Sequence, residues 1–181
     1  MAAPLGARSL PRRRHDVHVS YELRALAGRH EVLALAASEA GAALVRLPQG
    51  CALLPVTGEV FDQLGGGAVK PFGDVFWFLS GGIDALARRI SRAGAVAYLE
   101  ADIFGGTGTQ AMVLWQDGEV RLGPVTTQLG PPVWEGPDSQ WAFNQAFRYL
   151  GTDRGSANDE FEALGLGRWR STERWAASGS S

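Results

Sequence analysis

Two carboxylates spaced for joint work stand out first. Glu100 and Asp102 lie in AVAYLEADIFGGTGTQAMVLW, the stretch from Ala95 to Trp115. Alternate residues of a strand point to the same side. Val96, Tyr98, Glu100 and Asp102 therefore share one face, and Ala95, Ala97, Leu99, Ala101 and Ile103 share the other. The second face is wholly apolar and belongs in a core, while the first leaves its acids near water or in a polar cleft. Side chains two apart on a strand face lie near the shorter carboxyl separation used in glycoside hydrolysis, which suits a retaining mechanism. One reading is thus a hydrolase-like enzyme working through Glu100 and Asp102. The other is structural: acids at the end of a strand, solvated or bonded to arginines.

The turn beside these acids, FGGTGTQ from Phe104 to Gln110, presents consecutive backbone N–H groups that can form an anion-binding nest. It lacks the Gly-Lys-Ser/Thr ending of a P-loop, and the apolar run AMVLW that follows reads as a strand rather than a helix. Gly105, Gly106 and Gly108 accordingly mark a structural turn that needs positive φ or close backbone approach. His15, His18 and His30 form no HxH or HExxH pattern, which argues against zinc. An oxygen-ligated Mg²⁺ or Ca²⁺ at Glu100 and Asp102, helped by Asp159 or Glu160, is the one metal reading left open. No GxSxG elbow occurs, and no cofactor motif is present.

The second stretch with chemical content is NDEFEALGLGRWRSTERW, Asn158 to Trp175. Arg168, Trp169, Arg170, Arg174 and Trp175 interleave base and aromatic, a mixture that can stack on nucleobases. The adjacent acids Asp159, Glu160 and Glu162 favour a different reading, in which the arginines pair with them and the two Trp rings anchor the segment on the body. The expected arrangement docks Trp169 and Trp175 beside Gly105–Gly108, with Arg168 or Arg170 reaching Glu100 or Asp102. The candidate binding set is therefore Tyr98, Glu100, Asp102, Phe104, Gly105, Gly106, Gly108, Gln110, Arg168, Trp169 and Arg170.

Positioning these residues falls to short elements with recognisable ends. Ser20 to Ala25 alternates as a first strand, and Leu26 breaks the alternation. Glu31 to Ala40 is ambiguous between strand and helix. Ala43–Leu47 and Cys51–Val56 form a hairpin about Pro48-Gln49-Gly50. Thr57 caps a short helix ending at Gly65–Gly67. Phe72 to Leu79 returns the chain to the core. Ser80 or Gly82 opens the clearest helix, with Ile83, Leu86, Ala87 and Ile90 inward. Gln116-Asp117-Gly118 turns the hairpin that follows the central stretch. Beyond the loop Gly130 to Pro137, Asp138 caps a helix with Phe143, Ala146, Phe147 and Leu150 inward. The elements amount to an α+β fold: a single domain with a largely antiparallel sheet of about five to six strands and helices on one face.

Composition bounds the function. The 181 residues, 45% hydrophobic and 20% charged, suit one globular domain. Residues 1–17 carry four arginines against one aspartate and no apolar period, and are expected to be a disordered basic leader. Residues 18–175 form the domain and 176–181 a flexible tail. The leader contributes +3 to a net charge of −2, so the body is acidic and does not point to nucleic acid. No apolar run is long enough to span a membrane. The single cysteine, Cys51, excludes an internal disulfide and fits a cytoplasmic location.

YLEADIFGGTGTQAMVLW, the helix WAFNQAFRYLG and the ending DEFEALGLGRWRSTERW together resemble a group of small bacterial proteins common in actinobacteria. Those share a Tyr-x-Glu block running into an aromatic-Gly-Gly-x-Gly-x-Gln turn, and an acidic-Phe to Leu-Gly-Leu-Gly ending. The resemblance spans roughly Ser20 to Trp175 and brings no assigned reaction. By analogy with other small acidic proteins of this kind, it implies an interaction protein with a protein partner, of the immunity type that neutralises a bacterial toxin by direct binding.

Overall fold

The computed structural model describes residues 20–67, 69–130 and 140–179. Its centre is a six-stranded antiparallel sheet in the order β2-β3-β1-β4-β5-β6. The strands are β1 (Tyr21–Arg29), β2 (Val45–Arg46), β3 (Cys51–Pro55), β4 (Val96–Phe104), β5 (Thr107–Gln116) and β6 (Glu119–Leu129). Among the described residues the helices are α1 (His30–Glu39), α2 (Gly58–Gln63), α3 (Gly81–Ile90), α4 (Ala142–Tyr149), α5 (Glu160–Ala163) and α6 (Thr172–Gly179). None is long and apolar enough to cross a membrane.

The single-domain α+β architecture is as the sequence implies, but the helices cover both faces of the sheet rather than one. Leu23, Ala25, Ala97, Leu99, Met112 and Leu114 pack with Phe143, Phe147, Leu164 and Trp175, which places α4, α5 and α6 on one side. Leu26, Leu54, Val96, Tyr98, Val113 and Trp115 pack with Leu33, Val60, Ile83 and Leu86, which places α1, α2 and α3 on the other. The physical reason is that β1, β3 and β4 carry apolar side chains on both faces along much of their length, and each such face needs a cover.

Several ends form as their residue types dictate. The Thr57 hydroxyl accepts from the Val60 N–H and the Ser80 hydroxyl from the Ile83 N–H, capping α2 and α3. The ambiguous stretch after β1 is helix α1. At α4 the cap comes from the sheet: the Ala142 N–H donates to Thr127 Oγ1 at 2.9 Å and the Phe143 N–H to Gln110 Oε1 at 3.5 Å. The cap expected at Asp138 and the leader of residues 1–17 lie outside the described residues. Helix α6 runs through Gly179, so 176–179 belong to the folded body and not to a tail; Trp175 is buried in the core and Gly179 packs on Leu44.

The β4–β5 turn is tight. Phe104 pairs with Thr107, and Gly105 and Gly106 between them hold φ of 60° and 81°, the left-handed pair that a two-residue hairpin needs. Gly108 is constrained more severely: its φ is 148°, and a Cβ there would lie 2.0 Å from the Asp102 carbonyl oxygen. A Cβ on Gly106 would meet nothing within 4 Å. Gly106→Ala is therefore expected to cost about 1–2 kcal/mol through strain alone, and Gly108→Ala clearly more because a strand carbonyl must move. Urea unfolding of the two variants checks the ranking; equal costs would mean that the close approach is relieved cheaply.

Candidate functional site

Glu100 does not face open water. It follows Tyr98 on the side of β4 that α1, α2 and α3 cover, and only 7% of it is exposed. A carboxylate buried there must be satisfied by donors, and the chain supplies three. The Trp77 N–H donates to Oε1 at 2.7 Å, the Phe78 N–H to Oε2 at 3.0 Å, and the Tyr98 hydroxyl to Oε2 at 2.9 Å. Burial, and next the Glu100 charge beside it, push the Tyr98 hydroxyl well above the ordinary tyrosine value. Glu100 therefore fastens the loop between α2 and α3 to the sheet.

The loop is built to be fastened. Phe76 is buried edge-on to Tyr98, with ring centroids 5.5 Å apart, and Phe72 meets Trp115 in the same manner at 6.1 Å. Trp77, the next residue along the chain, lies in a bend, faces outward and is 73% exposed. Phe78 turns back under Arg24, whose guanidinium lies 3.4 Å from its ring centroid. Arg24 sits opposite Glu100 in the β1–β4 register and forms an ion pair with Glu22 at 2.7 Å. Neither Trp77 nor Arg24 was singled out by type or spacing. The run Phe72–Leu79 reads as uniformly core-bound, yet it folds as a 3₁₀ turn over Gly73–Val75 followed by a bend at Trp77 and Phe78, which leaves Val75 and Trp77 exposed.

Beyond this loop the same face of the sheet lies open. Its register lines up Glu22 with Asp102, Asp102 with Thr109, and Thr109 with Gln128, while Phe104 ends the row at the hairpin. The Asp102 side chain is exposed and has no hydrogen-bond or ion-pair partner among the described residues; Phe104 is 67% exposed. Phe104 lies four steps along the strand from Glu100, about 13 Å at the usual rise. The result is a flat polar surface with an aromatic ring at its hairpin tip and another at the loop that bounds it.

The expected site residues are thus divided. Tyr98 and Glu100 are buried together under the loop, while Asp102, Phe104, Gly105 and Gly106 form the exposed rim. Gln110 lies on the other face, where it caps α4. Trp169 and Trp175 do not dock at the glycine turn. They pack on the α4–α6 side with Val45 and Leu47, near the β2 edge. Neither Arg168 nor Arg170 bonds to Glu100 or Asp102. Arg168 lies 5.4 Å from the Trp169 ring centroid, and the Arg170 carbonyl accepts from the Glu22 N–H at 3.0 Å. The reason is geometric: β3 ends beside Ala25, so residues 170–172 take over its place along the first half of β1, with Thr172 Oγ1 accepting from the Arg24 N–H.

The acids of the C-terminal segment are also satisfied elsewhere. Glu160 holds Arg148 through two bonds of 2.9 Å, and Asp159 caps α5 while accepting from Asn144. They are not available to assist a cation at Glu100. Among the described residues no group of three or more His, Cys, Asp or Glu side chains is placed to hold a metal. No protein-family model, curated protein or solved structure matches this chain.

Two measurements check the role of Glu100. Glu100→Gln puts an amide NH₂ against main-chain donors; it is expected to cost about 1–3 kcal/mol and to speed hydrogen exchange at Trp77 and Phe78. Unchanged exchange there would show that the loop holds without the carboxylate. Tyr21 is also pushed upward by burial, Arg170 opposing. A tyrosine with a raised value keeps its proton more tightly when folded, so its stabilisation is complete below the ordinary value of 10.0 and declines as pH rises above it. Urea unfolding should show stability falling above about pH 10. Tyr98→Phe and Tyr21→Phe should each flatten that fall; an identical slope in both would rule the tyrosines out as its cause.

Proposed function

We propose that this chain is a protein-binding module whose contact surface is the open part of the sheet between Trp77 and Phe104. The observation that supports it is Trp77: a Trp ring 73% exposed on a backbone that a buried carboxylate grips directly. Large aromatic side chains are the commonest energetic anchors of interfaces. An anchor held rigid before contact loses little entropy on binding. Unpartnered Asp102 adds negative charge to the surface, Glu22 beside it being paired with Arg24, so the partner should present an apolar pocket with a basic group at its rim.

The partner class implied by the resemblance, a bacterial toxin neutralised by direct binding, suits a preformed acidic and aromatic face. The cytoplasm is the setting we propose, in keeping with a lone buried thiol. An enzymatic use of Glu100 is disfavoured because both of its oxygens already accept hydrogen bonds.

The test is quantitative capture from the native host. Wild-type protein should retain a basic protein, and the double exchange Trp77→Ala with Phe104→Ala should weaken that complex by about 2 kcal/mol or more with the melting temperature unchanged. A partner held equally by both proteins would place the interface elsewhere.

A further inference from the structure

A cleft of about 490 Å³ lies at the β2 edge, on the side of the sheet that carries α4, α5 and α6. One wall is a continuous piece of chain, Leu44 to Pro48, and the other is the α5–α6 connection with Arg168 and Trp169. Buried Leu164 and Trp175 also line it. This cleft belongs to no part of the surface assigned above, and its chemistry is the reverse. Its lining holds two arginines, Arg46 and Arg168, and no acid. Both arginines are exposed, and neither forms an ion pair among the described residues, in a chain of net charge −2.

The strand bounding the cleft is an edge with main-chain groups to spare. Val45 pairs with Leu53 and Arg46 with Ala52, while the Leu47 N–H donates to the Cys51 carbonyl. Residues of an antiparallel pair alternate between bonding inward and pointing outward. Val45 and Leu47 therefore spend their N–H and C=O groups on β3, and those of Arg46 point away from it. Such an edge is a template for another strand. On the cleft side stand the Arg168 guanidinium, a half-buried Trp169 ring and an apolar base, while the Arg46 side chain alternates with buried Val45 and Leu47 and leaves the strand toward the opposite face.

We propose that this cleft is a peptide site that takes an extended acidic segment of a partner protein. The segment adds a short strand to β2, sets a carboxylate against Arg168 and lays an apolar side chain against Leu164, Trp169 and Trp175 on the cleft side, and sets a second carboxylate, on its opposite face, against Arg46. Main-chain pairing gives the affinity, and the charges and the apolar pocket give the selectivity. The proposal does not depend on the Trp77–Phe104 surface, because no residue is shared.

Panning a phage-displayed library of random heptapeptides against the full chain tests it. Enrichment of acidic sequences around an apolar residue is expected. Fluorescence anisotropy of the winning peptide should show affinity falling at least about tenfold on the double exchange Arg46→Glu with Arg168→Glu, and no change on Trp77→Ala. Circular dichroism verifies the fold, and the single exchanges Arg46→Gln and Arg168→Gln replace the double variant if it misfolds. The proposal is overturned if no acidic sequence is enriched, or if the enriched peptide ignores the arginine exchanges. It is equally overturned if inorganic phosphate at matched ionic strength displaces the peptide, since the cleft would then be a simple anion site.

Discussion

A carboxylate taken out of water must find donors, and at Glu100 the donors are main-chain N–H groups of a loop from another part of the chain. Most of the exposed surface around Trp77 follows from that one requirement. Holding the backbone at Trp77 and Phe78 fixes the bend of the segment. Phe76 then falls onto Tyr98, Trp77 is thrown outward, and Phe78 slides under Arg24. Hydrogen bonds to a charged acceptor each contribute about 1.5–3 kcal/mol, more than an exposed loop can otherwise gain from its own turns. The apolar contacts of Phe72 and Phe76 place the loop; Glu100 sets its register on the sheet.

The same carboxylate divides one face of the sheet in two. On its far side Tyr98, Val96, Val113 and Trp115 lie beneath helices and loop. On its near side Asp102, Thr109 and Gln128 remain open. The sheet can leave that area bare because its other face is fully employed: Ala101 packs there with the α4–α6 helices. Beside β1, where β3 has run out, residues 170–172 supply the hydrogen bonds a strand would have supplied. The Thr172 hydroxyl also reaches Glu22, so the C-terminal segment braces the acidic end of the open surface without covering it.

What was legible in the sequence was whatever local chemistry decides. Thr57 and Ser80 cap helices because a hydroxyl three residues before an N–H meets it in space. Gly105 and Gly106 turn a hairpin because two successive positive φ values leave little alternative. What was not legible depends on partners distant in the chain. Glu100 and Trp77 are adjacent only in three dimensions, and an aromatic run such as Phe72–Leu79 does not announce which member faces out. Arg148 rather than Arg168 meets Glu160, since α4 and α5 are packed together before any arginine chooses an acid. Covering on both faces was written in the failed alternation at Leu26 and in the all-apolar β3, but a second layer of helices is a tertiary answer to that pattern.

The division of labour between Glu100 and Asp102 also bears on mechanism. Two acids on one strand face invite a catalytic pair only while both are free to exchange protons. Here one is spent on main-chain donors and the other stands alone in solvent. Releasing Glu100 for chemistry would leave the Trp77 and Phe78 N–H groups without acceptors and loosen the very loop that bounds the surface. A rigidly held Trp77 backbone and a Glu100 free to exchange protons are therefore competing uses of one side chain, and here its oxygens accept from Trp77, Phe78 and Tyr98. The ring-bearing face and the cleft at the β2 edge occupy different sides of the sheet and share no residue.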